Sequence, residues 1–118
     1  MVFPKYNLQI MDSKELKTAH TILLIQPTSE PESRTFSDYE SVKKCMEDIC
    51  EMYEEHLRKQ KPEAQSIIYK ISEVIEFTDE LSDIRCLVFH KSTNTYAPYN
   101  REWIKERINN LYRKSDYP

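Results

Sequence analysis

The sequence predicts an α+β fold built from four short strands and three amphipathic helices. First, residues 22–25 are four consecutive aliphatic residues followed by Gln26 and Pro27, a run typical of a strand buried on both faces. Second, three segments carry apolar residues at spacings of three and four, which indicates helices. Third, residues 86–89 and 95–98 flank a short polar turn, which predicts a β-hairpin over residues 85–98.

Length and composition indicate one soluble globular domain. The chain has 118 residues, of which 39% are hydrophobic and 31% charged, and a chain of this size builds a single core. No apolar run approaches the ~20 residues of a membrane span, and the N-terminus lacks the apolar segment of a secretory signal. Three cysteines form no disulfide framework and indicate reduced thiols, as in the cytosol or nucleus.

Charge and glycine content exclude further classes of function. The net charge of −3 argues against nucleic acid as the main ligand. Glycine is absent, which excludes the glycine-rich loops that bind phosphates. Helix ends and turns with positive φ must therefore use Asn, Ser, Asp or Lys.

The first strand and the first long helix follow in order. Pro27 ends the strand because it lacks an N–H and disfavours helix before it. Residues 28–34 are a loop, and residues 34–36 predict a brief strand that returns beside the first. Ser37 and Glu40 match a capping box, which predicts a helix over residues 38–59. Its apolar stripe is Tyr39, Val42, Met46, Ile49, Tyr53 and Leu57.

Two shorter helices flank the predicted hairpin. Apolar spacing predicts a helix over residues 71–81. Asn100 is the predicted N-cap of the last helix. The apolar stripe of that helix is Trp103, Ile104, Ile108, Leu111 and Tyr112.

Residues 1–19 form an N-terminal extension, flexible or docking, before a domain of residues 20–114. Residues 6–10 alternate in polarity like a short strand, and residues 11–18 are a linker or a weak helical turn. We favour a mobile extension, with strand addition to a sheet edge as the alternative. Residues 115–118 are expected to fray.

The first strand predicts a homodimer. Side chains alternate along a strand, so Ile22 and Leu24 share one face and Leu23 and Ile25 the other. The three amphipathic helices cover only one face. Ile22 and Leu24 would then form an exposed apolar patch, which a second copy of the chain would cover by two-fold symmetry.

The sequence shows no catalytic or metal-binding constellation. Cys45, Cys50 and His56 miss the i,i+3 and i,i+4 spacings that let metal ligands converge on a helix, so no metal, cofactor or catalytic residue is predicted. Cys45, Met52 and His56 lie on one flank of the first long helix, where we expect a partner segment to bind, because Met adapts to peptide surfaces. Thr35 has Asp38 three residues on, which makes it a candidate phosphorylation site, although helix capping by the same atoms is the favoured interpretation.

Several segments together resemble the enhancer of rudimentary homologues. They are HTILLIQP at 20–27, RTF at 34–36, DYESV at 38–42, CME at 45–47, MYEEHL at 52–57, CLVF at 86–89, TYAPYN at 95–100 and WIKE at 103–106. The likeness runs from residue 20 to about residue 113. It does not include residues 1–19.

The resemblance implies a four-stranded antiparallel sheet with three helices on one face, and a homodimer made by the open sheet faces. It implies no enzymatic activity. It also implies a nuclear adaptor, with the cytoplasm as a further compartment, that binds peptide segments of proteins in transcription, splicing, mRNA elimination or small-RNA maturation. No membrane association or direct nucleic-acid binding is expected.

Three positions depart from the family pattern. Ser33 and Asp48 stand where relatives often have glycine, so the early loop is expected to differ in shape. Ser41 lacks an acid three residues on, so an acid-directed phosphorylation site is not carried over to it; Thr35 keeps its Asp38.

Two rival functions make different predictions. The alternative function, that of a small RNA-binding domain, predicts salt-sensitive RNA affinity through a basic or aromatic sheet face. The first strand, however, offers only aliphatic side chains. An enzyme predicts a cleft with perturbed titratable groups.

Overall fold

The computed structural model describes residues 13–111. The strand pattern of residues 6–10, Tyr112 and the expected fraying of residues 115–118 lie outside this range. A 3₁₀ turn at Pro31–Ser33 lies between the first two strands. In chain order the helices and strands are α1 (Ser13–Thr18), β1 (Thr21–Gln26), β2 (Thr35–Tyr39), α2 (Val42–Gln60), α3 (Ile71–Glu80), β3 (Asp83–His90), β4 (Thr95–Tyr99) and α4 (Arg101–Asn109).

The four strands form one antiparallel sheet in the order β2-β1-β3-β4. The apolar strand β1 is central, with Leu23 opposite Ser37 of β2 and Cys86 of β3. Strands β3 and β4 form the hairpin, in which Val88 is opposite Ala97. The predicted α+β class and the four-stranded antiparallel sheet are confirmed.

The hydrophobic core lies between one face of the sheet and the helices. Alternate residues of the central strands are buried there, as the two-residue period of a strand requires. The helices contribute the side chains of their apolar stripes to the same core. The largest apolar side chains that are fully buried there are Leu23, Met46, Ile49, Ile84, Ile104, Ile108, Leu111, Val42, Val74 and Val88.

Helix α2 begins later than the capping-box pattern predicts. Ser37 lies in β2 opposite Leu23, and this pairing holds residues 35–39 extended. Ser41 is the N-cap instead, and its hydroxyl accepts a hydrogen bond from the Lys44 N–H at 3.0 Å. The prediction of a Ser37 cap and a helix from residue 38 is therefore wrong, and Tyr39 belongs to the strand.

Polar residues make the turns of this glycine-free chain. Asn94 adopts φ 57° in the β3–β4 turn, which confirms that a non-glycine residue takes the left-handed conformation. In the loop after β1, the Ser33 hydroxyl donates a hydrogen bond to the Glu30 carbonyl at 2.7 Å. Asn100 caps α4 as predicted, accepting from the Trp103 N–H at 3.0 Å.

The described part of the N-terminal extension is the short helix α1, which packs against α2. Its Leu16 is only 2% exposed and belongs to the hydrophobic core. The Ala19 N–H bonds to the Glu15 carbonyl at 2.9 Å and continues the last turn. Residues 14–18 thus contribute to the folded domain just before β1.

Candidate functional site

The sheet face that points away from the helices, termed the outer face, carries three of the four large apolar side chains that are exposed among residues 14–111. On β1 the outward residues are Ile22 and Leu24, both half-buried, whereas Leu23 and Ile25 are buried in the core. The register aligns further apolar residues beside them on the other strands. The apolar residues of the outer face are Ile22, Leu24, Phe36, Leu87, Phe89, Tyr96 and Pro98.

Strong exposure marks three of these side chains. Phe36 is 65% exposed, Tyr96 41% and Leu87 39%. Among residues 14–111, the one other large apolar side chain that is exposed is Ile68. In this described part of the chain, the exposed large apolar side chains therefore concentrate on the outer face, where a single copy leaves them uncovered.

The structure also shows which residues of β3 point outward. Leu87 lies opposite Ile22 and Pro98, and Phe89 lies opposite Tyr96. Cys86 and Val88 point into the core. The sequence left this choice open because β3 is apolar on both sides.

Polar contacts lie at the edges of the outer face. His20 Nδ1 and the Tyr96 hydroxyl lie 2.7 Å apart, and His20 Nε2 lies 3.9 Å from an Asp38 carboxylate oxygen. Arg85 Nε pairs with Asp83 at 3.1 Å. The acidic and basic side chains are thus interspersed around the apolar residues.

The three residues proposed to bind a partner through α2 do not share one surface. Cys45 is fully buried in the core, and burial raises the pKa of its thiol well above the usual value. Its stripe neighbours Val42 and Ile49 face the same core. Met52 is half-buried and His56 is exposed. Cys45 thus offers no surface to a partner, and the accessible flank consists of Met52 and His56.

Sequence reasoning missed a cluster of rings between α2 and α3, termed the aromatic patch and formed by Tyr53, His56, Tyr69 and Phe77. Tyr53 stacks on His56 with centroids 6.1 Å apart. It also contacts Tyr69 and Phe77, each at 5.4 Å. Tyr53 and His56 are one helical turn apart, but the other two rings join them only through tertiary packing.

Carboxylates hold the patch at its edges. The Tyr53 hydroxyl donates to Glu73 Oε1 at 2.9 Å, and the Tyr69 hydroxyl donates to Glu54 Oε2 at 2.7 Å. Hydrogen bonds from the Lys70 backbone N–H and from Tyr53 lower the pKa of Glu73. Desolvation and the neighbouring carboxylates of Glu73, Glu76 and Glu80 raise the pKa of the Tyr53 phenol.

The candidate phosphorylation residue Thr35 and the excluded Ser41 differ in exposure. Thr35 is exposed at the start of the edge strand β2, while Ser41 is buried as the cap of α2. Asp48 accepts a hydrogen bond from the Tyr39 hydroxyl, which ties α2 to β2.

Within residues 14–111, no three His, Cys, Asp or Glu side chains are grouped to hold a metal ion. The helices described here are too short or too polar to cross a membrane.

Comparison of the sequence with known proteins identifies its family. The family model described as Enhancer of rudimentary matches residues 17–116. The chain is 56% identical over 99 residues to the protein enhancer of rudimentary of Drosophila virilis, covering 84% of this chain and 95% of that protein. It is 48% identical over 96 residues to the enhancer of rudimentary homologue of Dictyostelium discoideum, covering 81% and 96%. This chain belongs to the enhancer of rudimentary family.

Proposed function

We propose that this protein is a non-catalytic homodimeric adaptor, which pairs with its own copy through the outer face and binds short segments of other proteins. Those partners act in gene expression and RNA processing, and the adaptor works in the nucleus and also in the cytoplasm. The observation that carries the proposal is the exposed apolar outer face, because soluble monomers rarely leave such a contiguous patch uncovered.

A two-fold contact is the simplest cover for this face. In such a contact both protomers use the same patch, so each protomer buries the same set of apolar side chains. Phe36, Leu87 and Tyr96 are the most exposed and gain the most burial. Full burial of a large apolar side chain contributes roughly 1.5–3 kcal/mol, and the half-buried Ile22 and Leu24 would add a smaller share.

RNA binding is the second candidate, favoured by the aromatic side chains Phe36, Phe89 and Tyr96 on the outer face. RNA-binding sheets stack bases on such rings, and they neutralise phosphates with nearby cations. On this face Arg85 is paired with Asp83, and His20 lies beside Asp38. The mixed charge favours an apolar contact between protein chains over a nucleic-acid surface.

Partner segments bind, in this proposal, beside α2 at Met52 and His56. Met52 offers a flexible apolar side chain that adapts to different partners. His56 is exposed and belongs to the aromatic patch. Cys45 is not included, since its side chain lies in the core.

Affinity capture tests the adaptor role. A tagged wild type, incubated with nuclear extract and analysed by mass spectrometry, is expected to retain proteins of transcription or RNA processing. A variant with Met52→Glu and His56→Glu that stays folded should lose them. Equal capture by the variant would contradict the partner flank, and partners from unrelated processes would contradict the adaptor role.

Titration of the wild type with RNA tests the RNA-binding alternative directly. A fluorescent single-stranded RNA is expected to show no salt-sensitive binding, since a phosphate-binding surface would lose affinity steeply with salt. Micromolar, salt-sensitive binding that falls on mutation of Phe36 and Tyr96 would favour the RNA-binding domain instead.

A further inference from the structure

The aromatic patch lies on the helical side of the molecule, away from the outer face. Its rings are only partly covered: Tyr53, Tyr69 and Phe77 are half-buried and His56 is exposed. These rings thus leave aromatic surface open outside the core.

Negative charge surrounds these rings. Glu54 and Glu73 accept the phenolic hydroxyls of Tyr69 and Tyr53, which fixes two carboxylates at the edge of the patch. Glu76 and Glu80, on the next turns of α3, are exposed. We call Glu54, Glu73, Glu76 and Glu80 the acidic rim.

Two hydrogen bonds favour the ionised form of the Glu73 carboxylate. Glu73 Oε2 also accepts the Lys70 backbone N–H at 3.1 Å, and this bond together with that from Tyr53 lowers the Glu73 pKa. The Lys70 ammonium also favours the ionised carboxylate, but it offsets only part of the charge of four rim carboxylates. The patch therefore joins aromatic ring faces to four acidic side chains.

We propose that the aromatic patch and its acidic rim form a docking surface for an arginine-bearing segment of a partner protein. This inference rests on the adaptor function proposed above and names the chemistry of one class of its partners. Charge complementarity selects a cationic segment. The aromatic rings select arginine, because a guanidinium stacks on a ring face while its N–H groups bind a carboxylate in a bidentate pair.

Lysine fits the surface less well. Its ammonium is a compact, strongly hydrated charge that does not stack on a ring as a planar guanidinium does. A purely electrostatic surface would not make this distinction.

Fluorescence anisotropy on the full chain tests the inference with two short labelled peptides, one of alternating Arg and Ser and one of alternating Lys and Ser. The arginine peptide is expected to bind about tenfold more tightly. The double variant Glu76→Lys and Glu80→Lys should weaken its binding about tenfold. The single variant His56→Ala should weaken it about threefold, because it removes one ring face.

The matched control is the double variant Glu30→Lys with Glu32→Lys. Both carboxylates are exposed in the loop after β1, and the variant makes the same change in net charge. It should weaken binding less than about twofold if the effect is local. Equal weakening by the two double variants, equal affinity for both peptides, or no arginine-peptide binding by folded wild type would overturn the inference. The substituted rim and ring residues are exposed, so the core does not depend on them.

Light scattering on the same samples separates this result from the wider proposal. A dimeric wild type that captures nuclear partners but ignores the arginine peptide would refute the docking surface alone. A monomeric wild type would instead refute the homodimeric adaptor, whatever the peptide does.

Discussion

Trp103→Ala is expected to lower the free energy of unfolding by about 2–4 kcal/mol. The indole is half-buried against the core. Its removal should therefore cost about half of the ~3–5 kcal/mol of stability that is lost when a fully buried aromatic side chain is replaced by alanine. Its ring also stacks on Tyr99 with centroids 4.1 Å apart, and such a pair adds ~0.5–1.5 kcal/mol beyond area burial. The two contributions together give the expected range.

Urea unfolding followed by circular dichroism measures this change. Protein concentration must be held fixed, since association of protomers would make the stability depend on it. Trp103→Phe keeps a ring beside Tyr99 and should lose less than the alanine variant. Ile68→Ala, at a side chain 90% exposed, is the surface control and should change stability by less than ~0.5 kcal/mol. A similarly small effect of Trp103→Ala would refute a structural role for the indole and favour a partner contact.

Two further predictions concern the α2 cap and the buried thiols. Ser41→Ala should destabilise the protein by about 1 kcal/mol because it removes the N-cap, whereas Ser37→Ala should cost less than about half of that; thermal unfolding compares them, and the reverse order would contradict the observed cap. Burial raises the pKa of Cys50 to about 11 and of Cys86 to about 12 from an ordinary 9.0, so the unfolded chain loses these protons first. The contribution of the two protonated thiols to the stability of the folded state is complete below pH 9.0 and is lost as the pH rises through 11 and 12. The urea midpoint should therefore fall between about pH 7 and about pH 10. Cys50→Ala should flatten that fall, and an unchanged slope would contradict it.

Elements defined by strong local patterns could be predicted from the sequence. The aliphatic run of β1, the spacing of α3, the β3–β4 hairpin and the Asn100 cap all agree with the structure. In each case residues close in sequence decide the conformation, through alternation, helical period or a side chain that reaches a nearby N–H. The buried Ile104 and Ile108 of α4 follow from the same period.

Features that depend on residues far apart in the chain could not be predicted from the sequence. The capping-box pattern indicated Ser37 as the cap of α2, but Ser41 is the cap because Tyr39 pairs with Thr21 and extends β2. Periodicity placed Cys45 at the edge of the apolar stripe, but packing against the sheet buries it completely.

The aromatic patch shows the same limit in the candidate site. Tyr53 and Phe77 lie on separate helices and meet only when α3 docks on α2. The prediction that Ile22 and Leu24 share the outer face needed only the two-residue period of β1, and the structure places both there. The neighbours that complete the apolar surface came from strand order and register.

Light scattering of the purified protein at micromolar concentration tests the central claim, that the outer face joins two copies of the chain. The wild type is expected to have twice the chain mass of 14.2 kDa. The variant Ile22→Arg with Leu24→Arg is expected to have the mass of one chain, because it would bury unpaired charges at the contact. A wild type with the mass of one chain, or a folded double variant that remains dimeric, would contradict the account.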